Sequence, residues 1–397
     1  MQNRQLFLQH VAQTSPAPMG IEMVKASGIH QWDVSGKQYV DLISGFSVCN
    51  IGHSHPAVVQ AVQEQAAAYM HLIVYGEFIE SPQVRYAARL AEHLPSSLNT
   101  VYFTNSGAEA TEGAMKLAKR VTGRSRIIAF QNAYHGSTQG ALSIMGDEYW
   151  RQAFRPLLPG ITHAAYNDEA VLQQIDASVA CVILETVQAE SGITRPHNHW
   201  LQAIRKQCDA HGVLLVLDEI QAGFGRTGTL WAFEQTGIVP DILLLGKALG
   251  GGMPLGAFIA SWDHMQTLTQ DPVLGHITTF GGHPVSCAAG LAALDVLLSS
   301  GWIDSVAAKA QVLAEKLKHP ALQARQSAGL WMSLQFADAS LNQRIVHQCV
   351  QNGLITDWFL FAPDRLRIAP PLCISDAELS EVCDRILLSI DQVLAAS

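Results

Sequence analysis

The stretch Trp200-Leu-Gln-Ala-Ile-Arg-Lys-Gln-Cys-Asp-Ala-His-Gly-Val-Leu-Leu-Val-Leu-Asp-Glu-Ile-Gln221 decides the fold class. Trp200, Leu201, Ile204 and Cys208 recur at helical spacing, and His211-Gly212 closes the run with a residue suited to a left-handed helix end. Residues 213–217 follow as an unbroken apolar run, the pattern of a strand covered on both faces. A glycine-closed amphipathic helix followed by a buried strand is an α/β unit. Working outward, residues 101–104, 126–130, 181–184 and 242–245 read as further buried strands between helical stretches. Such alternation predicts an α/β fold with a mainly parallel sheet covered by helices on both faces.

The chain ends read differently. Residues 28–42 suggest short strands with a turn at Ser35-Gly36, and residues 329–336 alternate like a half-exposed strand. Ser375-Asp-Ala-Glu378 is a capping box, followed by Leu379, Val382, Ile386, Ile390 and Val393 at helical spacing. We therefore expect a large α/β domain over residues 51–285. A smaller α+β domain would be built from residues 1–50 and 286–397.

Bulk properties narrow the function classes. Of 397 residues, 48% are hydrophobic and 15% charged, enough apolar material for a sizeable core. The net charge of -9 comes without a basic stripe, which argues against nucleic acid or anionic membrane as partners. Seven cysteines are scattered without CxxC pairs, so neither a disulfide framework nor a zinc ribbon is expected, and no other metal site is. The reducing cytoplasm is the natural setting. The N-terminus lacks a secretory pattern, and no uncharged run approaches the roughly 18 apolar residues of a membrane span.

Three strand ends carry chemistry. In Asp241-Ile-Leu-Leu-Leu-Gly-Lys-Ala-Leu-Gly-Gly-Gly-Met-Pro-Leu-Gly256, a lysine emerges from a buried strand beside permissive backbone. Desolvation there lowers an amine's pKa from about 10.4 and frees it to attack carbonyls. Asp218 ends the strand at 213–217, where open α/β sheets bind ligands. It could hold a protonated pyridine nitrogen. Asp218-Glu219 could instead bind magnesium, but that reading needs a G-x-x-x-x-G-K-[ST] loop, which the chain lacks. At Thr104-Asn-Ser-Gly-Ala-Glu-Ala110 a strand opens into a helix reaching about Lys119, and small residues there let N–H groups close on a phosphate. His53 and His55 are metal ligands by type, but they precede a helix starting near Pro56 and read as structural caps.

Together these stretches resemble the class III pyridoxal-phosphate aminotransferases of the acetylornithine, ornithine and 4-aminobutyrate type, nearly end to end. The matching blocks begin with Trp32-Asp-Val-Ser-Gly-Lys-Gln-Tyr-Val-Asp41, Gly52-His-Ser-His-Pro56 and Asn105-Ser-Gly-Ala-Glu-Ala110. They continue with Tyr134-His-Gly136, Glu185-Thr-Val-Gln-Ala-Glu190 and Asp218-Glu-Ile-Gln-Ala-Gly-Phe-Gly-Arg-Thr-Gly228. Gly246-Lys-Ala-Leu-Gly-Gly-Gly252, Thr279-Phe-Gly-Gly-His-Pro284 and Arg367-Ile-Ala-Pro-Pro-Leu372 complete them.

The resemblance implies the fold type I architecture and ping-pong amino transfer from an amine, ω-amino acid or diamino acid to a 2-oxo acid such as 2-oxoglutarate or pyruvate. Aminomutase, racemase, decarboxylase or phospholyase chemistry is the alternative on the same site. Lys247 is the implied Schiff-base lysine and proton shuttle. Asp218 holds the ring nitrogen, Ile220 and Tyr134 cover the two ring faces, and Gln221 approaches the ring hydroxyl. Ser106, Gly107 and Ala108 form the phosphate cup, with His135 and Glu185 in the same cofactor-binding blocks. Thr279 reaches the neighbouring subunit's phosphate, implying a homodimer with shared active sites. Glu190 and Arg367 match a gate in which the arginine is neutralised or clamps a substrate carboxylate. Two departures concern substrate. Ser137 stands where ornithine-type members carry arginine, and Phe46 where ornithine-specific ones carry tyrosine, which puts ornithine and acetylornithine in doubt. His283 stands where the family often has asparagine.

Overall fold

The computed structural model describes residues 3–396. Near the N-terminus β1 (Met23–Ser27), β2 (His30–Asp33) and β3 (Gln38–Asp41) form an antiparallel meander, with Gly36 at φ +86° in the turn. The central sheet contains β4 (Thr100–Thr104), β5 (Arg126–Phe130), β6 (Ile161–Ala164), β7 (Val179–Glu185), β8 (Leu214–Asp218), β9 (Ile242–Leu245) and β10 (Gly256–Ala260). Its order is β4-β10-β9-β8-β7-β5-β6. All neighbours are parallel except β10, which runs against both β4 and β9.

The expected double coverage is visible residue by residue. Val182, Leu184, Leu215, Leu217, Leu243 and Leu245 belong to one hydrophobic core, while Cys181, Ile183, Leu214, Val216, Ile242 and Leu244 belong to another. Strand side chains alternate faces, so an unbroken apolar run feeds two cores at once. The helix Gly107–Thr122 covers one face through Ala110, Ala114, Leu117 and Ala118, all fully buried. Its Gly113 admits the Phe258 ring, since a Cβ there would come within 2.3 Å of it. The helix Asn198–His211 covers the other face and stops at Gly212, φ +59°.

A third sheet of order β11-β12-β15-β14 combines β11 (Ala324–Ser327), β12 (Met332–Gln335), β14 (Trp358–Phe359) and β15 (Ala362–Ile368). The short β13 (Leu354–Ile355) joins the first sheet by pairing parallel to β3, which brings the two ends of the chain together. The helix Asp376–Ala395 carries the expected capping box, Ser375 with Glu378. One expectation is corrected. Residues 329–336 are not half-exposed, because Leu330, Trp331, Met332, Ser333, Leu334 and Phe336 are all buried. Alternation cannot anticipate this, since the polar Ser333 satisfies its hydroxyl on the Gly192 carbonyl (2.8 Å) and so tolerates burial.

Candidate active site

The parallel strands place their carboxyl ends side by side. Glu185 pairs with Asp218 in the register of β7 and β8, and Asp218 with Leu244 in that of β8 and β9. Lys247 emerges two residues after β9 ends, at φ +49°, the left-handed region. Among the described residues no hydrogen bond or ion pair engages its amine. Burial, then the neighbouring Arg367, lowers its pKa against the upward pull of Glu190, Asp218 and Glu185. A lowered pKa makes the amine easier to deprotonate and so more readily nucleophilic.

Asp218 is buried, and both carboxylate oxygens are engaged. Oδ1 accepts from the Ile220 N–H (2.9 Å), and Oδ2 lies 2.7 Å from His135 Nδ1. His135 is itself buried and its backbone carbonyl accepts from Thr111 Oγ1 (3.0 Å), which ties the Tyr134–His135 loop to the covering helix. Glu185 Oε1 accepts from the Tyr134 N–H and Oε2 from the Ala189 N–H. Burial and the adjacent Asp218 push its carboxyl well above the ordinary range. Tyr134 is half-buried, and its phenol meets Ser137 Oγ at 3.1 Å.

Ser106 caps the helix Gly107–Thr122, accepting from the Glu109 N–H at 3.2 Å. Sixteen residues of helix stand behind that N-terminus, so its free N–H groups and dipole favour an anion. Gly107 lets the backbone approach Ile220 closely: a Cβ would sit 2.7 Å from Ile220 Cδ1, which would have to move. The loop bearing Gly136 packs equally close to Ala108, at 2.6 Å for a Cβ.

Arg367, on β15, is 1% exposed and holds two carboxylates. Nη1 and Nη2 donate to Glu190 Oε1 (3.0 and 3.1 Å), Nη2 also to Oε2 (2.9 Å), and Nε to Asp357 Oδ1 (2.9 Å). The guanidinium lies 4.3 Å from the Phe359 ring centroid and 5.3 Å from that of Phe46. Although burial opposes ionisation, Arg367 holds Glu190 below its usual range. Burial dominates at Asp357, pushed up to about 6. Gln221 Nε2 donates to Glu190 Oε1 (3.2 Å), leaving its own buried Oε1 without a partner.

The expected residues thus fall into one region, except Thr279. It is exposed, beside Thr278, whose hydroxyl accepts from Asn105 Nδ2 (3.3 Å). Asp357 and Phe359 were not anticipated; nothing local in the sequence marks them, because they reach Arg367 across a sheet. Of the two histidines read as caps, His55 Nδ1 accepts from the Ala57 N–H (3.3 Å), and His53 Nε2 lies 2.7 Å from buried Asp41. The donor set fits pyridoxal phosphate: helix N–H groups for the phosphate, buried Asp218 for the ring nitrogen, orphaned Gln221 Oε1 for the ring hydroxyl, and the free amine of half-buried Lys247.

Comparison with known proteins agrees with this chemistry. The family model described as aminotransferase class-III matches residues 11–390. Acetylornithine aminotransferase of Caldanaerobacter subterraneus subsp. tengcongensis is 36% identical over 387 residues, covering 94% of this chain and 95% of its own. Among solved structures, ornithine aminotransferase from Toxoplasma gondii has a TM-score of 0.90 at 30% identity, covering 99% of this chain and 94% of its own. A thermostable (S)-enantioselective omega-transaminase from Thermomicrobium roseum has a TM-score of 0.91 at 29% identity, covering 98% of each chain.

Proposed function

The chain belongs to the class-III aminotransferases, pyridoxal-phosphate enzymes of amino transfer, and from that premise we propose that Lys247 is the Schiff-base lysine of this active site. The observation that carries the reading is an unpaired amine at a strand end, its pKa lowered chiefly by burial, beside buried Asp218 and the N-terminus of the helix Gly107–Thr122. When bound, pyridoxal phosphate supplies an aldehyde that captures the amino group and a ring that accepts the electron pair left behind on deprotonation. Lys247, whose amine has no hydrogen-bond partner among the described residues, takes the proton from the substrate's amino-bearing carbon. Asp218 keeps a proton on the ring nitrogen, and His135 fixes the carboxylate's orientation. Ile220 and Tyr134 take the two ring faces, Gln221 the ring hydroxyl, and Ser106, Gly107 and Ala108 the phosphate. Glu185 fixes the Tyr134 backbone.

Arg367 is assigned to the 2-oxo acid's carboxylate, with Glu190 its counter-ion when the substrate group in that place is uncharged. Asp357 stays on Nε in both states and keeps the planar fork oriented. Ser137 and Phe46 offer no cation to a donor's carboxylate at their positions. We therefore favour an amine, ω-amino acid or terminal amine of a diamino acid as donor, with 2-oxoglutarate or pyruvate as acceptor. A homodimer is part of the proposal. It is supported by exposed Met70, Leu72, Ile73, Ile277 and Phe280, on segments that meet where His71 packs on Phe280 at 4.7 Å. Thr279 lies on that surface and is assigned to the partner's phosphate. The division into residues 51–285 and the paired ends 1–50 and 286–397, and a cytoplasmic setting, complete the reading.

The test is borohydride reduction of the holoenzyme followed by peptide mass analysis, with an absorbance screen of amines on the same preparation. A reduced adduct on Lys247, and a cofactor spectrum shifted by amine and restored by 2-oxo acid, are expected. An adduct on another lysine overturns the assignment.

A further inference from the structure

Arg226 is fully buried, and among the described residues no carboxylate lies within ion-pair distance of it. A buried unpaired guanidinium is costly, and the cost demands a reason. Its four hydrogen bonds supply one. Nη1 donates to the carbonyls of Leu330 (2.9 Å) and Pro370 (2.7 Å), and Nη2 to Ser44 Oγ (3.2 Å) and Asn50 Oδ1 (2.7 Å). Pro370 lies three residues beyond Arg367, and Ser44 two residues before Phe46. Ser44 Oγ in turn donates to the Ala369 carbonyl at 2.6 Å. One guanidinium therefore bridges the turn that carries Phe46 and the chain that leaves Arg367.

That turn needs holding. Ser44, Gly45, Phe46 and Ser47 follow one another at φ +49°, +57°, +64° and +62°. Three of the four are L-residues in a region they rarely adopt. Asp41 Oδ1 secures the entrance by accepting the N–H groups of Ile43 (2.8 Å) and Ser44 (2.9 Å). Arg226 grips the turn from both sides, at Ser44 before Phe46 and at Asn50 after it. Only a planar fork of five donors reaches four acceptors on separate segments; a lysine ammonium in the same space cannot.

We propose that Arg226 is a positioning residue that keeps the Phe46 turn and Arg367 in register, and thereby sets affinity for the 2-oxo acid's carboxylate. The proposal rests on the assignment of Arg367 to that carboxylate. Weakening a charge-assisted hydrogen bond to a bound carboxylate suffices for losses of about 10- to 100-fold in affinity.

The test uses full-length Arg226→Lys, Ser44→Ala and Arg367→Lys proteins. Each is loaded with pyridoxamine phosphate and mixed with 2-oxoglutarate or pyruvate in single turnover, and glutarate binding is measured by titration calorimetry. Arg226→Lys is expected to weaken apparent 2-oxo acid and glutarate affinity about tenfold or more, with the limiting rate and bound cofactor within about threefold of wild type. Ser44→Ala moves affinity the same way by less, and decides the matter should Arg226→Lys fold poorly. Equal loss of limiting rate and affinity, or no change in either, overturns the positioning role. Unchanged affinity in Arg367→Lys overturns the carboxylate assignment, and the positioning role with it.

Discussion

Glu190→Gln isolates the charge on one side of the Arg367 pair. In the present geometry Glu190 makes three contacts with the guanidinium, between 2.9 and 3.1 Å, and also accepts from the Leu360 N–H at 3.0 Å. A charged hydrogen bond contributes about 1.5–3 kcal/mol against about 0.5–1.5 for a neutral one, a difference of about 1–1.5 kcal/mol per contact, so across the fork the amide weakens the hold on Arg367 by roughly 1.5–3 kcal/mol. On the proposed assignment a 2-oxo acid carboxylate displaces Glu190, so its apparent affinity should rise about 10- to 100-fold. An amine with an uncharged distal group loses the counter-ion that made Arg367 tolerable, and its affinity should fall by a similar factor. The two half-reactions are followed separately as interconversion of the aldehyde and amine forms of the cofactor. Movement of both affinities in the same direction, or a ratio within about threefold of wild type, would refute the gate. Stability should fall by about 1–3 kcal/mol, because the amide nitrogen faces donors from Arg367 or Leu360.

Lys247→Ala should abolish transfer while cofactor remains held at the phosphate and ring nitrogen; turnover within about tenfold of wild type contradicts its proton-transfer role. Gly107→Ala should weaken cofactor binding about tenfold, because its Cβ meets Ile220 Cδ1 at 2.7 Å. Ile220→Val removes that methyl and should restore most of the affinity; failure to do so would mean that a different clash governs the cup. His53 should be protonated at neutral pH: burial alone would lower it, but the contact with Asp41 and the neighbouring Cys49 raise it to about 10. Since its folded value lies above the unfolded value of about 6.5, its stabilisation is full below that pH and is lost as pH rises through about 10. Denaturant titrations of wild type and His53→Gln should therefore converge between pH 7 and 10, and parallel curves would refute the ion pair.

What the sequence determined by itself follows from local physics. Unbroken apolar runs at 181–184, 213–217 and 242–245 require coverage on two faces, glycine at 212 requires a helix to stop, and Ser375 with Glu378 requires one to start. Lys247, Asp218 and Ser106 were legible because each sits where a strand ends, and the parallel sheet brings strand ends to one edge. Only the tertiary structure decided which groups meet them. Asp357 reaches Arg367 from the link just before β14, His135 turns onto Asp218 from a loop 83 residues away, and Arg226 joins segments from both chain ends. The burial of Ser333 likewise depended on the Gly192 carbonyl. Periodicity reports which face of an element is apolar, whereas the partner of a buried polar group is set by long-range packing that no local pattern encodes.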